Sequence, residues 1–264
     1  MGNHRVSRRV FLRQGLAAGA ALWALPGRTQ DAKRPNILLV FSDQQHWSAM
    51  GCMDAWFTTP AQDALARDSH HFVRMYCTTP QCSPCRSSLL TGRYPSKTGV
   101  MGNVGALGGA PLNERTLGAE LRAAGYRTGY FGKWHLGDEP VANAGWDVIN
   151  TRSNDKGAEK EAIAFLEQTA GAEQPFALFV SILNPHDIYE FRDHKVASSE
   201  RPIPLPVSWE QEDLSKKPSV QLQFMTEDQG TAIHGAEKAL WQQYRDCYRE
   251  KTRLWDENLG AILD

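Results

Sequence analysis

The sequence has few cysteines and no long apolar run, and both absences exclude whole classes of protein. Five cysteines spread unevenly over 264 residues are too few for a disulfide scaffold. No apolar run approaches the roughly 20 residues that a helix needs to cross a bilayer, so we expect no stable membrane span. Charged residues make up 22% of the chain without a block of one sign, which argues against disorder and against a polyanion-binding surface.

The net charge of −1 hides an uneven distribution along the chain. Residues 1–30 contain five arginines and no acidic residue, which leaves 24 basic and 30 acidic side chains in the remainder. A mildly acidic body is not typical of nucleic-acid-binding proteins, so we expect no nucleic-acid partner. With 41% hydrophobic residues, the chain can form the core of one large domain or of two small ones.

The basic N-terminus has the pattern of an export signal. Residues 7–12 read Ser-Arg-Arg-Val-Phe-Leu and precede a short apolar stretch at 16–25. A charged start and a short apolar middle indicate a removable targeting peptide rather than an anchor, and the paired arginines resemble the twin-arginine signal. We therefore predict that residues 1–34 are a signal and linker recognised by the twin-arginine translocase. The mature protein would then be periplasmic or extracellular.

From residue 35 onward the hydrophobic pattern predicts an α/β fold. Three apolar runs without alternation are typical of strands buried on both faces of a largely parallel sheet; these runs are 37–41, 126–131 and 176–183. Helical spacing lies between them, at 116–124 and 156–169. The order strand, helix, strand, helix, strand predicts a layered sheet with helices on its faces. Further along, four prolines within 201–218 predict an extended surface connection, and 236–263 has helical spacing.

Each predicted strand ends in a cluster of chemically active side chains. The clusters are Ser42–Gln45, Gly132–His135 and Asn184–Asp187. One such cluster could be a helix cap, but ligands of parallel sheets bind beyond the carboxyl ends of the strands. Three clusters together predict one shared site that contains a carboxylate, an amide, a lysine and two histidines.

A further segment, residues 81–93, combines two cysteines with an unusual spacing. Cys82-x-x-Cys85 could be a redox pair or half of a zinc site. A redox pair usually opens a helix in a small thioredoxin-like fold, and the sequence has no second Cys pair to complete a zinc site. Pro84 and Arg86 follow Cys82 at two and four residues, which neither alternative explains.

This spacing resembles the signature of the type I sulfatases, formylglycine-dependent members of the alkaline phosphatase-like superfamily. Their Cys-x-Pro-x-Arg motif and the following Leu-Thr-Gly-Arg match residues 82–86 and 90–93. Shorter family motifs occur in the family's order at 35–38, 59–60, 94–95, 99–100, 132–137, 184–186 and in the helix that carries Tyr248 and Asp256. The resemblance implies a layered α/β/α fold with a largely parallel central sheet, and identifies 35–264 as the N-terminal part of a catalytic domain.

The resemblance also implies a modified nucleophile at position 82. A separate formylglycine-generating enzyme would oxidise Cys82 to an aldehyde, with Pro84 and Arg86 completing its recognition motif. One hydroxyl of the aldehyde hydrate would attack sulfur, and the other would later expel sulfate. The implied activity is the hydrolysis of a sulfate ester in a sulfated small molecule or glycan.

Roles for the clustered polar side chains follow from the same resemblance. Asp43 and Gln44, together with the modified Cys82, would hold Ca²⁺ or Mg²⁺. Arg86 would hold the hydrate, and Lys133 would bridge the hydrate and the sulfate. His135 would be the base that drives sulfate elimination, and His186 would bind sulfate and assist the leaving oxygen.

The resemblance leaves one structural gap and several alternatives. Relatives continue past residue 264 into a strand with two more metal ligands, so we expect the cation shell of this chain to be incomplete, one sheet edge to be unpaired, and the chain alone to have little activity. Alternative functions are a phosphonate or phosphodiester hydrolase of the same fold, and a non-catalytic relative that binds sulfated ligands. Lys133 and His135 could instead lie at a solvated strand end, and His186 could be an ordinary loop histidine. The remaining cysteines, Cys52, Cys77 and Cys247, are expected to be buried thiols.

Overall fold

The structure is a computed structural model that describes residues 34–105, 109–138, 144–193 and 201–264. The predicted export signal lies, except for Arg34, outside the described residues, so the prediction of twin-arginine export stays a prediction. Within the described residues, no helix combines the length and the apolar character that a membrane span requires.

Within the described ranges, four parallel strands form the central sheet. They are β1 (Ile37–Asp43), β2 (Arg127–Gly132), β3 (Val148–Asn150) and β4 (Phe176–Pro185), in the spatial order β1-β4-β2-β3. Three of these strands and their parallel pairing were predicted from the apolar runs. β3 was missed because its three residues are too few to form a recognisable run.

Strand β4 shows why the apolar runs do not alternate with polar residues. Ala177 and Phe179 pack in the hydrophobic cluster on one face of the sheet, whereas Leu178, Val180 and Ile182 pack in the cluster on the other face. Both faces of the strand are therefore covered, and every position favours an apolar side chain. This confirms the prediction for the centre of the sheet.

Helices cover both faces of the sheet. They are α1 (Pro60–Asp68), α2 (Cys82–Thr91), α3 (Pro95–Thr98), α4 (Leu117–Ala123), α5 (Asp155–Thr169), α6 (Ser208–Gln211), α7 (Ser219–Glu227) and α8 (Lys238–Leu263). On one face, Phe165 of α5 and Trp255 of α8 pack together against the sheet. On the other face, Leu90 of α2 and Leu121 of α4 contribute to the second cluster. The predicted α/β/α layering and the helices α4, α5 and α8 are confirmed.

Strand β1 differs from its prediction in burial. The sequence predicts a strand buried on both faces, but residues 37–42 are only partly buried. The reason is its position, because β1 lies at an edge of the four-stranded sheet and, among the described residues, pairs with β4 alone.

The proline-rich segment 201–218 is more structured than predicted. It contains α6 and a short 3₁₀ helix, Leu214–Lys216. Its Ile203 is buried in a small cluster with Ala49 and Phe57, and the Ile203 N–H donates to the Asp246 carboxylate of α8 at 3.2 Å. The prediction of a purely extended surface connection is therefore wrong, because one apolar side chain anchors the segment to the body.

Candidate active site

The carboxyl ends of three strands bring three of the predicted site residues together. Asp43 ends β1, Lys133 follows β2 and His186 follows β4, and β4 lies between the other two strands. The chain turns after β2 at Gly132, which adopts a φ of +93°. A side chain does not fit there, because a Cβ at this position would lie 2.0 Å from the Ser181 carbonyl oxygen. The sheet topology therefore produces the shared site that the strand-end clusters predict.

Helix α2 brings Cys82 to the same place. Its Sγ lies 3.7 Å from Asp43 Oδ1 and 3.6 Å from Lys133 Nζ. The sequence reasoning missed this helix, which begins at Cys82, ends at Thr91 and is capped by Gly92 in the left-handed conformation. Because Cys82 is the first residue of a ten-residue helix, it lies at the partially positive end of the helix, which favours a bound anion.

Asp43 is a buried carboxylate paired with two cations. Its Oδ2 lies 2.7 Å from Arg86 Nη2 and 2.9 Å from Lys133 Nζ, and the residue is 8% exposed. Burial by itself would raise the pKa of Asp43, but the adjacent Arg86 and Lys133 outweigh it and lower the pKa below its usual range. Lys133, with a side chain 14% exposed, does not lie at a solvated strand end, so that alternative is wrong.

Arg86 is held in a fixed orientation by contacts on every side. Its Nη1 donates to the Lys133 carbonyl at 2.7 Å and to Ser181 Oγ at 2.8 Å, and its guanidinium lies 5.4 Å from the centre of the Phe41 ring. A planar guanidinium with several fixed hydrogen bonds is pre-organised, so the positive charge at the base of the site does not have to be ordered when a ligand binds.

The two predicted histidines lie beside this charge cluster. A ring nitrogen of His186 lies within 4.8 Å of a carboxylate oxygen of Asp43 and of Cys82 Sγ. His135 has a left-handed φ of 58°, its carbonyl accepts a hydrogen bond from Ser83 Oγ at 2.6 Å, and its buried Nδ1 has no partner among the described residues. Burial, and then the charge of Lys133, lowers the pKa of both His135 and His186 below the ordinary value.

The lowered histidine pKa values predict a loss of stability in mild acid. Because the folded protein binds protons at His135 and His186 less readily than the unfolded chain, the unfolding free energy should be highest above about pH 6.5 and fall below it. We expect the unfolding free energy, measured with urea at pH 7.5 and at pH 5.5, to fall less between these two pH values in His135→Gln and in His186→Gln than in the wild type. The exposed His234→Gln is the matched control. An unchanged decrease in both site variants would contradict the proposed burial of the histidines.

The turn that carries His186 is anchored by residues that the sequence reasoning did not select. The Asp155 carboxylate, in the first turn of α5, accepts hydrogen bonds from Leu183 N at 2.6 Å, from Asn184 N at 2.9 Å and from Asn184 Nδ2 at 2.8 Å. Directly after His186, the Asp187 carboxylate Oδ2 lies 2.8 Å from Lys251 Nζ of α8. Asn184 therefore shapes the loop, and Asp155 and Lys251 connect it to two helices.

The cysteines do not have the properties of a redox pair. All five are free thiols. Burial and the Asp43 charge raise the pKa of Cys82, and burial and the nearby Cys77 raise the pKa of Cys85 to about 11. A redox-active Cys-x-x-Cys motif needs a lowered thiol pKa, so the redox alternative is not supported even though Cys82 opens a helix. Cys247 is buried as expected, but Cys52 and Cys77 are exposed, so the expectation of burial is wrong for these two.

The donor set at the site fits a hard divalent cation in part. Asp43, Cys82 and His186 offer ligand atoms within 4.8 Å of one another, and the Asp43 carboxylate is the kind of ligand that Ca²⁺ and Mg²⁺ prefer. Gln44 is adjacent and exposed. Since Ca²⁺ takes about six to eight oxygen ligands, these described residues supply only part of a coordination shell.

Comparison with known proteins identifies the family. The family profile described as "Sulfatase" matches residues 35–264. Human arylsulfatase G (Homo sapiens) is 41% identical over 118 residues, which span 44% of this chain and 22% of that protein. The chain thus aligns with only about a fifth of this relative's length.

Solved structures show the same fold. A Bacteroides thetaiotaomicron protein assigned as a sulfatase superposes with a TM-score of 0.71 at 22% identity, covering 87% of this chain and 54% of that one. Phosphonate monoester hydrolase of Agrobacterium radiobacter superposes with a TM-score of 0.62 at 20% identity, covering 87% and 58%. These likenesses confirm the alkaline phosphatase-like α/β fold. From the profile match over residues 35–264, this chain belongs to the sulfatase family.

Proposed function

We propose that this protein hydrolyses sulfate esters, with Cys82 acting after conversion to formylglycine. The observation that supports this proposal is the environment of the Cys82 side chain. Its Sγ lies 3.6 Å from the Lys133 ammonium, at the N-terminus of α2, with Arg86 one turn further along the helix. Negative charge on a sulfate group that approached position 82 would therefore meet fixed positive charge.

The aldehyde hydrate of position 82 supplies the nucleophilic hydroxyl and, later, the means to release sulfate. Lys133 bridges the hydrate and the sulfate. Arg86 holds the hydrate, and its hydrogen bonds to the Lys133 carbonyl and to Asp43 keep these groups in place. A neutral imidazole can accept a proton at one nitrogen and donate a hydrogen bond from the other. By resemblance to the family, His135 would remove the proton that starts sulfate elimination, and His186 would bind sulfate and assist the leaving oxygen.

A divalent cation, Ca²⁺ or Mg²⁺, completes the proposed site. Asp43, the Gln44 amide oxygen and an oxygen of the modified residue 82 would hold it. When bound, the cation supplies positive charge beside the nucleophile. The carboxylate of Asp43 remains ionised for this purpose because Arg86 and Lys133 lower its pKa.

The proposed partners follow from this chemistry. The substrate is a sulfated small molecule or glycan, and a formylglycine-generating enzyme acts on the Cys82, Pro84 and Arg86 motif before the site is competent. The arginine-rich N-terminus supports export by the twin-arginine translocase to the periplasm or beyond. That route carries folded proteins, which suits a residue that is modified before export.

A comparison of substrates tests the proposal. The chain alone is expected to have little activity. In protein co-expressed with a formylglycine-generating enzyme and supplied with Ca²⁺, the hydrolysis that it does perform should be faster with 4-nitrophenyl sulfate than with the phenylphosphonate ester of 4-nitrophenol. The family match favours this order over the phosphonate alternative. Faster cleavage of the phosphonate would support that alternative, and retention of sulfated ligand without turnover would support the non-catalytic one.

A further inference from the structure

The turn that follows β1 contains a residue in an unfavourable backbone conformation. Gln44 adopts a φ of 65°, in the left-handed region that non-glycine residues seldom occupy. Such a conformation persists only where neighbouring groups hold it. Gln44 directly follows Asp43, so whatever holds this turn also determines where the two predicted cation ligands lie relative to each other.

The Tyr248 hydroxyl of α8 bridges this turn. It donates a hydrogen bond to the Gln44 carbonyl at 2.8 Å and accepts one from the His46 backbone N–H at 2.6 Å. A phenolic hydroxyl has one donor and can also accept, so both functions of the group are used on two backbone sites two residues apart. Burial raises the pKa of Tyr248 to about 12, and the group therefore keeps its proton.

Helix α8, which carries Tyr248, is itself held in place by contacts with Gln45 and with α1. Trp255, seven residues and about two turns after Tyr248, donates from Nε1 to Gln45 Oε1 at 2.8 Å. The buried Asp256 carboxylate accepts from the first backbone N–H groups of α1, Ala61 N at 3.0 Å and Gln62 N at 2.9 Å. A shift of the turn would therefore strain several contacts at once.

We propose that Tyr248 is a positioning residue of the cation site: its hydroxyl locks residues 44–46 so that Gln44 stays beside Asp43 as a ligand for a divalent cation. The inference rests on the cation of the proposed function, but not on the reaction. It assigns to α8 a role in cation binding although α8 provides none of the predicted ligands.

The test compares Tyr248→Phe with Tyr244→Phe in the full chain. Tyr244 lies one turn earlier on α8, and its ring packs edge-on against Phe191 with centroids 5.2 Å apart. Both variants lose one oxygen atom from a half-buried tyrosine. Calcium affinity is measured by the Ca²⁺-dependent rise of the melting temperature, and hydrogen exchange is followed in a peptide that covers residues 42–48.

We expect Tyr248→Phe to weaken calcium affinity by about tenfold or more, in the range found for residues that orient metal ligands, and to speed exchange of the His46 amide. Tyr244→Phe should leave both at the wild-type level. Faster exchange with unchanged calcium affinity would show a purely structural hydrogen bond and overturn the proposal, as would a wild-type protein whose stability does not respond to Ca²⁺. Lack of sulfate-ester turnover alongside the predicted calcium difference would count against the proposed function alone.

Discussion

Replacing Cys82 by serine is expected to stop the reaction after one sulfate transfer per molecule. Serine can attack sulfur, but once sulfated it has no second hydroxyl on the same carbon to expel the sulfate. In a preparation that hydrolyses 4-nitrophenyl sulfate, Cys82→Ser should release at most one equivalent of 4-nitrophenol, and steady-state kcat should fall by more than about 10³-fold.

The matched control for this variant is Cys85→Ser, three residues further along α2. Cys85 interacts with Cys77 and is not part of the proposed machinery, so kcat should stay near the wild-type value. The measurement is the time course of product release at enzyme concentrations high enough to resolve one turnover. Continued turnover by Cys82→Ser would show that the nucleophile lies elsewhere.

Replacing Arg86 by methionine is expected to cause the largest loss of stability in the site. Arg86 is 5% exposed and donates to Asp43 Oδ2 at 2.7 Å, so its removal leaves a buried carboxylate with only Lys133 to balance it among the described neighbours. Ser181 Oγ also loses the Arg86 donor, and the Lys133 carbonyl keeps the hydrogen bond from the Tyr130 hydroxyl but loses the one from Arg86. Breaking a buried pair from one side costs about 3–5 kcal/mol, which urea unfolding at neutral pH would measure.

The control for this prediction is Arg93→Met. Arg93 pairs with Glu114 at 2.5 Å, but its side chain is 51% exposed. Exposed pairs contribute about 1 kcal/mol or less, so the unfolding free energy should change little. Similar losses for the two variants would contradict the view that burial makes the Arg86–Asp43 pair different.

Much of the fold could be predicted because its strands are buried on both faces. The apolar run of β4 reflects two hydrophobic clusters on opposite sides, and such a run predicts a parallel sheet from composition alone. The start of α2 could not be predicted in the same way, because the segment 82–91 has a weak amphipathic pattern with serine, proline and cysteine in place of apolar side chains. Its helix is stabilised by tertiary contacts, among them Ser83 Oγ with the His135 carbonyl.

In the candidate site, too, some residues could be predicted from the sequence and others could not. Asp43, Lys133 and His186 could be placed together because each follows a strand, and parallel strands end at one edge of the sheet. The residues that orient these three side chains could not be predicted, because the orienting contacts join distant parts of the sequence. Tyr248 is 204 positions from Gln44, and Lys251 is 64 from Asp187. No local pattern indicates such a pairing.

The most direct test of the account is peptide mass spectrometry of residue 82. Trypsin would release residues 75–86, which contain Cys77, Cys82 and Cys85, and fragmentation distinguishes the three positions. In protein isolated from a cell with a formylglycine-generating enzyme, we predict a mass about 18 Da below that of the thiol form, with the change located at residue 82. An unmodified Cys82 in protein that turns over sulfate esters would contradict the central claim.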